Sequence, residues 1–259
     1  MIKIVFFDID GTLLSHKTES VPKDAKEAIA ELQKRGIKVC VATGRHIVDL
    51  EAMPLEGIVF DGYVTLNGQL IYNGKKELIF GNKLTQKDVS NLYEVFAKKE
   101  TAMLFINEKG PYLNFVNDKV RQVYREIGTP VPKEGEYCKE DIYQMILFGD
   151  RETLMPILTK AEHIKSTYWN PYAVDVIDEN GGKIQGIQQL LQYLKISMDE
   201  VMAFGDGEND IEMIQNAAIG IAMGNGLKKL KEKADYVTAD IDEGGVKKAL
   251  EYYHREFER

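Results

Sequence analysis

The sequence predicts an α/β protein whose three-layer, mostly parallel core is interrupted by an inserted α+β domain. Apolar strands alternate with amphipathic helices at both ends of the chain, and this alternation breaks off in the middle. A length of 259 residues suits two ordinary domains. We therefore expect residues 1–81 and 183–259 to form the core and residues 82–182 to form the inserted domain.

The N-terminal segment has the pattern strand, helix, strand, helix. Ile2 to Phe7 are almost continuously apolar, which predicts a strand buried on both faces. From Pro22 to Arg35 the apolar residues recur at helical spacing, and Gly36 is placed to end that helix. Ile37 to Ala42 predicts a second strand, and Arg45 to Leu50 predicts the start of another helix. This order is typical of a parallel sheet.

The pattern changes after Pro54, where Asp-Gly and Asn-Gly pairs separate short strands in a predicted hairpin meander. Further predicted strands lie at Tyr63–Leu66, Gln69–Tyr72, Ala102–Ile106, Tyr112–Val116, Tyr143–Phe148 and Ala173–Ile177. Predicted helices there are Gln86–Lys99 and Lys119–Ile127. The alternating pattern then resumes with helices Ile184–Leu194 and Ile211–Asn216, strands Glu200–Phe204, Ile219–Ala222 and Tyr236–Thr238, and a last helix from Gly245. The mixed middle segment is the predicted insertion.

Charge and composition exclude several classes of protein. Lys and Arg number 33 against 41 Asp and Glu, so the net charge of −8 offers no positive field for nucleic acid or anionic lipid. Two widely separated cysteines cannot form a disulfide framework, which indicates a reducing compartment. No apolar run has the length of a signal peptide or a membrane span. We therefore expect a cytoplasmic protein that binds neither nucleic acid nor membranes.

Two carboxylates follow the first predicted strand in the motif FFDIDGTLL. Asp8 and Asp10 lie at its carboxyl end, the edge of an α/β sheet at which ligands bind, with both side chains on one side. Two acids so close repel each other unless a cation or a shared proton intervenes, which indicates Mg²⁺ together with nucleophile and proton-transfer roles. For Asp-x-Asp alone, an N-cap and a solvated acid in a turn remain the alternative.

Two further polar motifs also follow predicted strands. Thr43 and Gly44 lie between a strand and a helix, where a hydroxyl and backbone N–H groups can bind phosphate; an ordinary Thr N-cap is the alternative. In FGDGENDIEM, Asp206 and Asp210 supply carboxylates that suit Mg²⁺, and Asn209 supplies an amide that can contact a substrate oxygen. The alternative is a Gly-rich turn with N-capping acids, which does not require so many acids together. We expect both motifs at the same sheet edge as the first.

Lys183 is the weakest of the four signals. It precedes an amphipathic segment, and a lone lysine is most simply a solvated surface residue. Several carboxylates and a phosphate dianion nevertheless need more positive charge than one Mg²⁺ supplies. Lys183 is therefore the candidate for that additional charge.

In this order the four motifs resemble those of the haloacid dehalogenase-like superfamily, and within it those of the Cof-type phosphatases. The matching segments are DIDGTLL, ATGR, the lysine of GGKIQGI, and AFGDGENDIEM followed by GIAMGNG, ADYVT and EGGV. The chain departs from the pattern at GGK, where the family often has Ser before the lysine, and at GNG, where it often has Asn-Ala. The resemblance implies a Rossmann-like core and an inserted cap domain that sets substrate specificity.

The resemblance also implies a role for each matching residue. Asp8 would attack phosphorus to form an aspartyl-phosphate, and Asp10 would protonate the leaving oxygen and then activate water. Mg²⁺ would be held by Asp8, the Asp10 backbone carbonyl and Asp206, with Asp210 assisting directly or through water. The phosphoryl oxygens would be bound by the backbone of Ile9 and Gly44 and by the side chains of Thr43, Lys183 and Asn209.

The sequence thus predicts a Mg²⁺-dependent phosphatase, a monomer or small homo-oligomer, acting on small phosphorylated metabolites such as sugar phosphates. A phosphomutase of the same superfamily and a non-catalytic regulator that binds a phosphometabolite are the alternatives. Within the insertion, Trp169, Asn170 and Asp175 are candidate contacts to the organic part of the substrate. The alternative for Trp169 is that it fills the core of the inserted domain.

Overall fold

The computed structural model describes residues 1–257. Within that range the chain forms two compact units. The first unit comprises Met1–Phe80 and the chain from Gly182 onward, and the second comprises Gly81–Gly181. In the described range no helix combines the length with the apolar composition that crossing a bilayer requires.

Thirteen strands and nine α-helices make up the described range. The strands are β1 (Ile4–Phe7), β2 (Lys38–Ala42), β3 (Gly62–Thr65), β4 (Leu70–Asn73), β5 (Leu78–Gly81), β6 (Ala102–Asn107), β7 (Gly110–Leu113), β8 (Gln144–Phe148), β9 (Ile164–Asn170), β10 (Ala173–Asp178), β11 (Val201–Gly205), β12 (Ile219–Ala222) and β13 (Tyr236–Val237). The helices are α1 (Lys23–Lys34), α2 (Ile47–Glu51), α3 (Gln86–Ala97), α4 (Asp118–Glu126), α5 (Arg151–Leu158), α6 (Lys183–Leu194), α7 (Ile211–Asn216), α8 (Lys228–Lys231) and α9 (Gly245–Tyr252).

An eight-stranded sheet with the order β13-β12-β11-β1-β2-β3-β4-β5 forms the centre of the first unit. The pairs from β13 through β3 are parallel, and β3 pairs with β4 in antiparallel register. This mainly parallel sheet confirms the predicted α/β fold class. All four residues of β1 are buried, as its continuous apolar sequence predicts for a central strand covered on both faces.

One face of this sheet packs against α6. Ile187, Leu190 and Leu191 of the helix form a cluster with Ile4 and Phe6 of β1 and with the neighbouring strands. Fully burying side chains of this size stabilises a fold by about 1.5–3 kcal/mol each. The cluster fixes the first turn of α6, and therefore Lys183, against the sheet.

The second unit has an antiparallel five-stranded sheet in the order β7-β6-β8-β10-β9. Two of its elements are not predicted from the sequence. Helix α5 is short and contains Pro156, which masks a helical pattern. Strand β9 lies at the edge of this sheet beside β10 and is half exposed, and its sequence lacks the apolar alternation that predicts a strand.

Candidate active site

The candidate active site lies at the carboxyl edge of the parallel sheet in the first unit. Strand β1 lies between β11 and β2, with Phe7 in register with Phe204 and Val41. Because the three strands are parallel, the loops that follow them begin side by side. These loops carry Asp8, Thr43 and Asp206, which lie far apart in the sequence.

A buried lysine joins two of the predicted carboxylates. Lys183 Nζ lies 2.7 Å from Oδ1 of Asp8 and 2.7 Å from Oδ1 of Asp210. Burial by itself lowers the pKa of Lys183, but the carboxylates of Asp210 and Asp8 outweigh it and raise that pKa above the ordinary lysine value. The side chain is 0% exposed, so Lys183 is not the solvated surface residue of the alternative explanation.

Three carboxyl groups form a compact cluster. Asp8, Asp206 and Asp210 each offer an oxygen within 4.8 Å of the others. Burial, together with the neighbouring aspartates, raises the pKa of Asp8 well above its ordinary value despite the opposing effect of Lys183. Burial and the charge of Asp210 raise the pKa of Asp206 to about 7. Three acids beside one ammonium ionise together readily only with a further cation, and their closely spaced oxygen donors fit a divalent metal ion.

The Asp210 carboxylate also holds the loop in which it lies. Its Oδ2 accepts hydrogen bonds from the backbone N–H groups of Asp206 and Gly207, both at 2.9 Å. Its other oxygen accepts the hydrogen bond from Lys183. Asp210 thus fixes the backbone that carries Asp206 while contributing its own charge to the cluster.

Gly11 and Thr12 also contact the Asp206 carboxylate. Thr12 Oγ1 donates a hydrogen bond of 2.9 Å to Asp206 Oδ1. Gly11 has a φ of +81°, and a Cβ atom there would lie 2.4 Å from Asp206 Oδ2. Glycine is therefore required both for the left-handed backbone and for the close approach of the carboxylate.

Asp10 lies outside the carboxylate cluster and forms an ion pair with Arg45. Arg45 Nε donates to Oδ2 at 2.6 Å, and Arg45 Nη2 donates to Oδ1 at 2.8 Å. Burial lowers the pKa of Arg45, but its hydrogen bonds to Asp10 and the Asp10 charge outweigh that effect and raise it. The sequence predicts no role for Arg45 beyond its place in the ATGR motif, because a salt bridge between distant loops leaves no local pattern.

The structure corrects the prediction for the segment after β2. Helix α2 begins at Ile47, and its N-cap is His46, whose Nδ1 accepts from Val48 N–H at 3.2 Å. The expected helix start at Arg45 and the alternative of Thr43 as N-cap are therefore wrong. Thr43 Oγ1 instead accepts from Arg45 N–H at 3.1 Å. Anion binding at Thr43 and Gly44 would rest on the hydroxyl and the loop backbone.

Asn209 and Ile9, two predicted phosphate-binding residues, differ in their contacts and burial. Asn209 Nδ2 donates a hydrogen bond of 2.9 Å to Asn67 Oδ1. Asn67 belongs to one of the Asn-Gly pairs of the predicted meander, for which the sequence predicts a turn and no site role. The structure places it at the edge that carries the site, because β3 runs parallel to β2 and ends there. Ile9 is fully buried, and the contact of its backbone N–H with a phosphoryl oxygen stays a prediction.

The candidate substrate contacts Trp169, Asn170 and Asp175 lie in the second unit. Trp169 Nε1 donates to Asp175 Oδ1 at 2.7 Å, and Asn170 Nδ2 donates to Glu126 Oε2 at 2.8 Å. The Trp169 side chain is 40% exposed, so it does not fill the core of this unit. Their contact with substrate stays a prediction.

Comparison with known proteins connects this geometry to one family. A model of the haloacid dehalogenase-like hydrolases matches residues 5–250. The structure is similar to that of the phosphatase BT1666 from Bacteroides thetaiotaomicron, with a TM-score of 0.89, 29% identity, and coverage of 98% of this chain and 96% of that one.

Two other proteins resemble the chain over nearly its whole length. The subclass IIB sugar phosphatase BT4131 has 32% identity and a TM-score of 0.86, with coverage of 97% of this chain and 99% of that one. The 5-amino-6-(5-phospho-D-ribitylamino)uracil phosphatase YcsE of Bacillus subtilis is 27% identical over 261 residues, with coverage of 97% and 96% respectively. These two relatives differ in the organic part of the phosphoester that their names describe.

Proposed function

Since the chain is a phosphomonoester hydrolase of the haloacid dehalogenase-like family, we propose that it hydrolyses small phosphorylated metabolites with Mg²⁺, through an aspartyl-phosphate intermediate. The observation that carries the proposal is the buried Lys183 ammonium, which lies 2.7 Å from oxygens of both Asp8 and Asp210. A sugar phosphate or a molecule of similar size is the expected substrate, and the cytoplasm is the expected compartment.

Asp8 is the proposed nucleophile. Lys183 engages its Oδ1, so Oδ2 is the oxygen assigned to attack. The Asp8 oxygen forms a bond to phosphorus as the bond between phosphorus and the ester oxygen breaks. A water molecule then attacks the aspartyl-phosphate, which releases inorganic phosphate and restores the Asp8 carboxylate.

Asp10 is the proposed general acid and base. It would donate a proton to the departing ester oxygen and later take one from the attacking water. Both of its carboxylate oxygens accept hydrogen bonds from Arg45, which holds the group in one orientation. Each of these oxygens accepts one hydrogen bond from Arg45 and keeps a second lone pair, which can carry the proton while the contact is kept.

The metal ion would be held by Asp8, Asp206, Asp210 and the backbone carbonyl of Asp10. The three side chains offer closely spaced oxygen donors, the ligand type that Mg²⁺ prefers. When bound, the ion would offset the charge of the carboxylates and of the phosphoryl group. Because Asp210 already accepts three hydrogen bonds, we propose that it contacts the metal ion less directly than Asp8 and Asp206 do.

The remaining residues would bind the phosphoryl oxygens and select the substrate. Oxygens that gain charge during transfer would be stabilised by preorganised donors. Those donors are the Lys183 ammonium, the Asn209 amide, the Thr43 hydroxyl and the backbone N–H groups of Ile9 and Gly44. We assign substrate selection to the insertion at residues 82–182, because all of these groups lie outside it.

Phosphate release from a panel of phosphorylated metabolites tests the proposed function. The wild type with Mg²⁺ should release phosphate, and Asp8→Asn, which preserves shape but removes the nucleophile, should release none. Asp118→Asn changes a fully exposed aspartate of the second unit and serves as the matched control. Appreciable hydrolysis by folded Asp8→Asn would refute the nucleophile. Transfer of phosphate to a second substrate hydroxyl without phosphate release would indicate a phosphomutase, and binding without turnover would indicate a regulator.

A further inference from the structure

The turn between β3 and β4 has an unusual backbone. Leu66, Asn67 and Gly68 have φ values of 49°, 53° and 88°, so three consecutive residues lie in the left-handed region. Glycine adopts this region readily and asparagine tolerates it, but a side chain such as that of leucine adopts it at an energetic cost. Such backbone persists only where surrounding contacts impose it.

Contacts with two other loops hold this turn. The N–H of Leu66 donates to the carbonyl of Arg45, and the N–H of Asn67 donates to the carbonyl of Thr43, both at 3.0 Å. A Cβ atom at Gly68 would lie 2.0 Å from the carbonyl oxygen of Gly182, the residue before Lys183. The turn therefore packs against the segments that carry two of the four sequence motifs.

The Asn67 side chain connects this turn to a third motif. Its Oδ1 accepts the 2.9 Å hydrogen bond from Asn209 Nδ2. On its other side the amide lies against Gly44, where a Cβ atom would come within 3.2 Å of the same Oδ1. Asn67 is only 6% exposed, so its amide is held between Gly44 and Asn209.

We propose that Asn67 is a positioning residue that orients the Asn209 amide toward the bound phosphoryl group. The inference rests on the proposed phosphatase function. Oδ1 of Asn67 accepts one of the two N–H groups of Asn209, which favours the rotation of that amide with Nδ2 toward Asn67. Glycine would suit the backbone at position 67 but could not hold Asn209, and aspartate would add negative charge near an anion. The strained turn thus places an acceptor beside Asn209.

Asn67→Gly separates a positioning role from a merely structural one. Glycine relieves the backbone strain, so the melting temperature should stay near that of the wild type. The kcat/KM should fall about tenfold, as expected when a hydrogen-bond donor to a charged group is no longer oriented. The dissociation constant of inorganic phosphate, titrated calorimetrically with Mg²⁺, should rise by a similar factor.

A double-mutant cycle tests whether Asn67 acts through Asn209. If it does, Asn67→Gly should change kcat/KM and phosphate affinity by less than about twofold in an Asn209→Ala background. Multiplicative effects of the two changes would overturn the proposal, as would wild-type phosphate affinity in Asn67→Gly.

Asn73→Ala is the matched control. Asn73 belongs to the other Asn-Gly turn of the meander, where its Oδ1 accepts from the N–H groups of Lys75 and Glu77 at 2.9 and 3.0 Å. This change should lower the melting temperature and leave kcat/KM and phosphate affinity unchanged. If the wild type binds phosphate but is inactive, the proposed function is refuted and the role of Asn67 is not. The phosphate affinities of the double-mutant cycle would then still test that role. A wild type that neither binds phosphate nor turns over would overturn both.

Discussion

Arg45 holds the Asp10 carboxylate through two hydrogen bonds, Nε to Oδ2 at 2.6 Å and Nη2 to Oδ1 at 2.8 Å. Two parallel bonds from a planar guanidinium fix the plane of a carboxylate as well as its position. The two residues lie 35 positions apart and are joined by the adjacency of β1 and β2. Arg45 therefore sets the orientation of the group to which we assign proton transfer.

Arg45→Lys should slow the hydrolysis of substrates with poor leaving groups more than that of substrates with good leaving groups. Lysine keeps the positive charge but cannot form the two-pronged contact, so Asp10 would lose its fixed orientation. We expect kcat/KM to fall about tenfold to a hundredfold for an alkyl phosphate, within the range that general acid catalysis contributes, and much less for an aryl phosphate. Equal losses on both substrates would argue against positioning of Asp10.

Lys183→Met should reduce both turnover and stability. The change removes the cation that pairs with two buried carboxylates, and breaking a buried ion pair in this way costs about 3–5 kcal/mol. Loss of a preorganised charge should lower kcat by about a hundredfold or more. Denaturant unfolding and steady-state kinetics measure the two effects. Lys229→Met, which removes an exposed lysine paired with Glu208, should change stability by no more than about 1 kcal/mol.

Gly11→Ala should lower activity and stability together. Alanine at a φ of +81° is strained, and its Cβ would displace the Asp206 carboxylate. Gly36→Ala is the matched control, because Gly36 has a φ of +76° with no atom within 4 Å of the added Cβ. Both variants should lose about 1–2 kcal/mol from backbone strain, but only Gly11→Ala should lose activity. Comparable kcat/KM values for the two variants would contradict a role of Gly11 in placing Asp206.

Asp88→Asn should make the second unit less sensitive to acid. The Asp88 carboxylate accepts from Thr85 Oγ1 at 2.6 Å and from the N–H groups of Glu162 and His163 at 2.7 and 3.3 Å. Burial raises its pKa, but these hydrogen bonds outweigh burial and lower it below the ordinary value. A lowered pKa means that the stabilisation is present above the ordinary aspartate pKa and is lost as the pH falls below it.

Unfolding free energies measured from neutral pH down to about pH 3 check this prediction. The wild type should lose its advantage over Asp88→Asn as the pH falls, whereas Asp118→Asn should follow the wild type. A constant difference between the wild type and Asp88→Asn would contradict the assignment.

Trp169→Leu and Asn170→Ala should alter the ranking of substrates. An exposed indole whose N–H is fixed by Asp175 offers a surface on which a small organic group can stack. We expect losses that differ among physiological phosphoesters and a small effect on a generic aryl phosphate. Tyr193→Leu changes an exposed aromatic residue of the first unit and should leave the ranking unchanged. Proportional losses on every substrate would remove this stretch from the substrate site.

Much of the site could be predicted because its residues follow buried strands. The continuous apolar run of β1 predicts a central strand, and Asp8 comes directly after it. The same reasoning applies to Thr43 after β2 and to Asp206 after β11. In a parallel sheet the carboxyl ends of adjacent strands share one edge, so local patterns alone bring these residues together.

The contacts that complete the site depend on tertiary structure. Lys183 is the first residue of α6, a position for which the sequence predicts no burial. Only packing of α6 on the sheet places its side chain between Asp8 and Asp210. The sequence around Asn67 predicts only an Asn-Gly turn. The hydrogen bond between its side-chain oxygen Oδ1 and Asn209, 142 positions away, depends on the fold. Hydrophobic periodicity and turn chemistry act over a few residues, so the sequence alone predicts them. Side-chain pairs between distant loops form only after the strands have taken their order in the sheet.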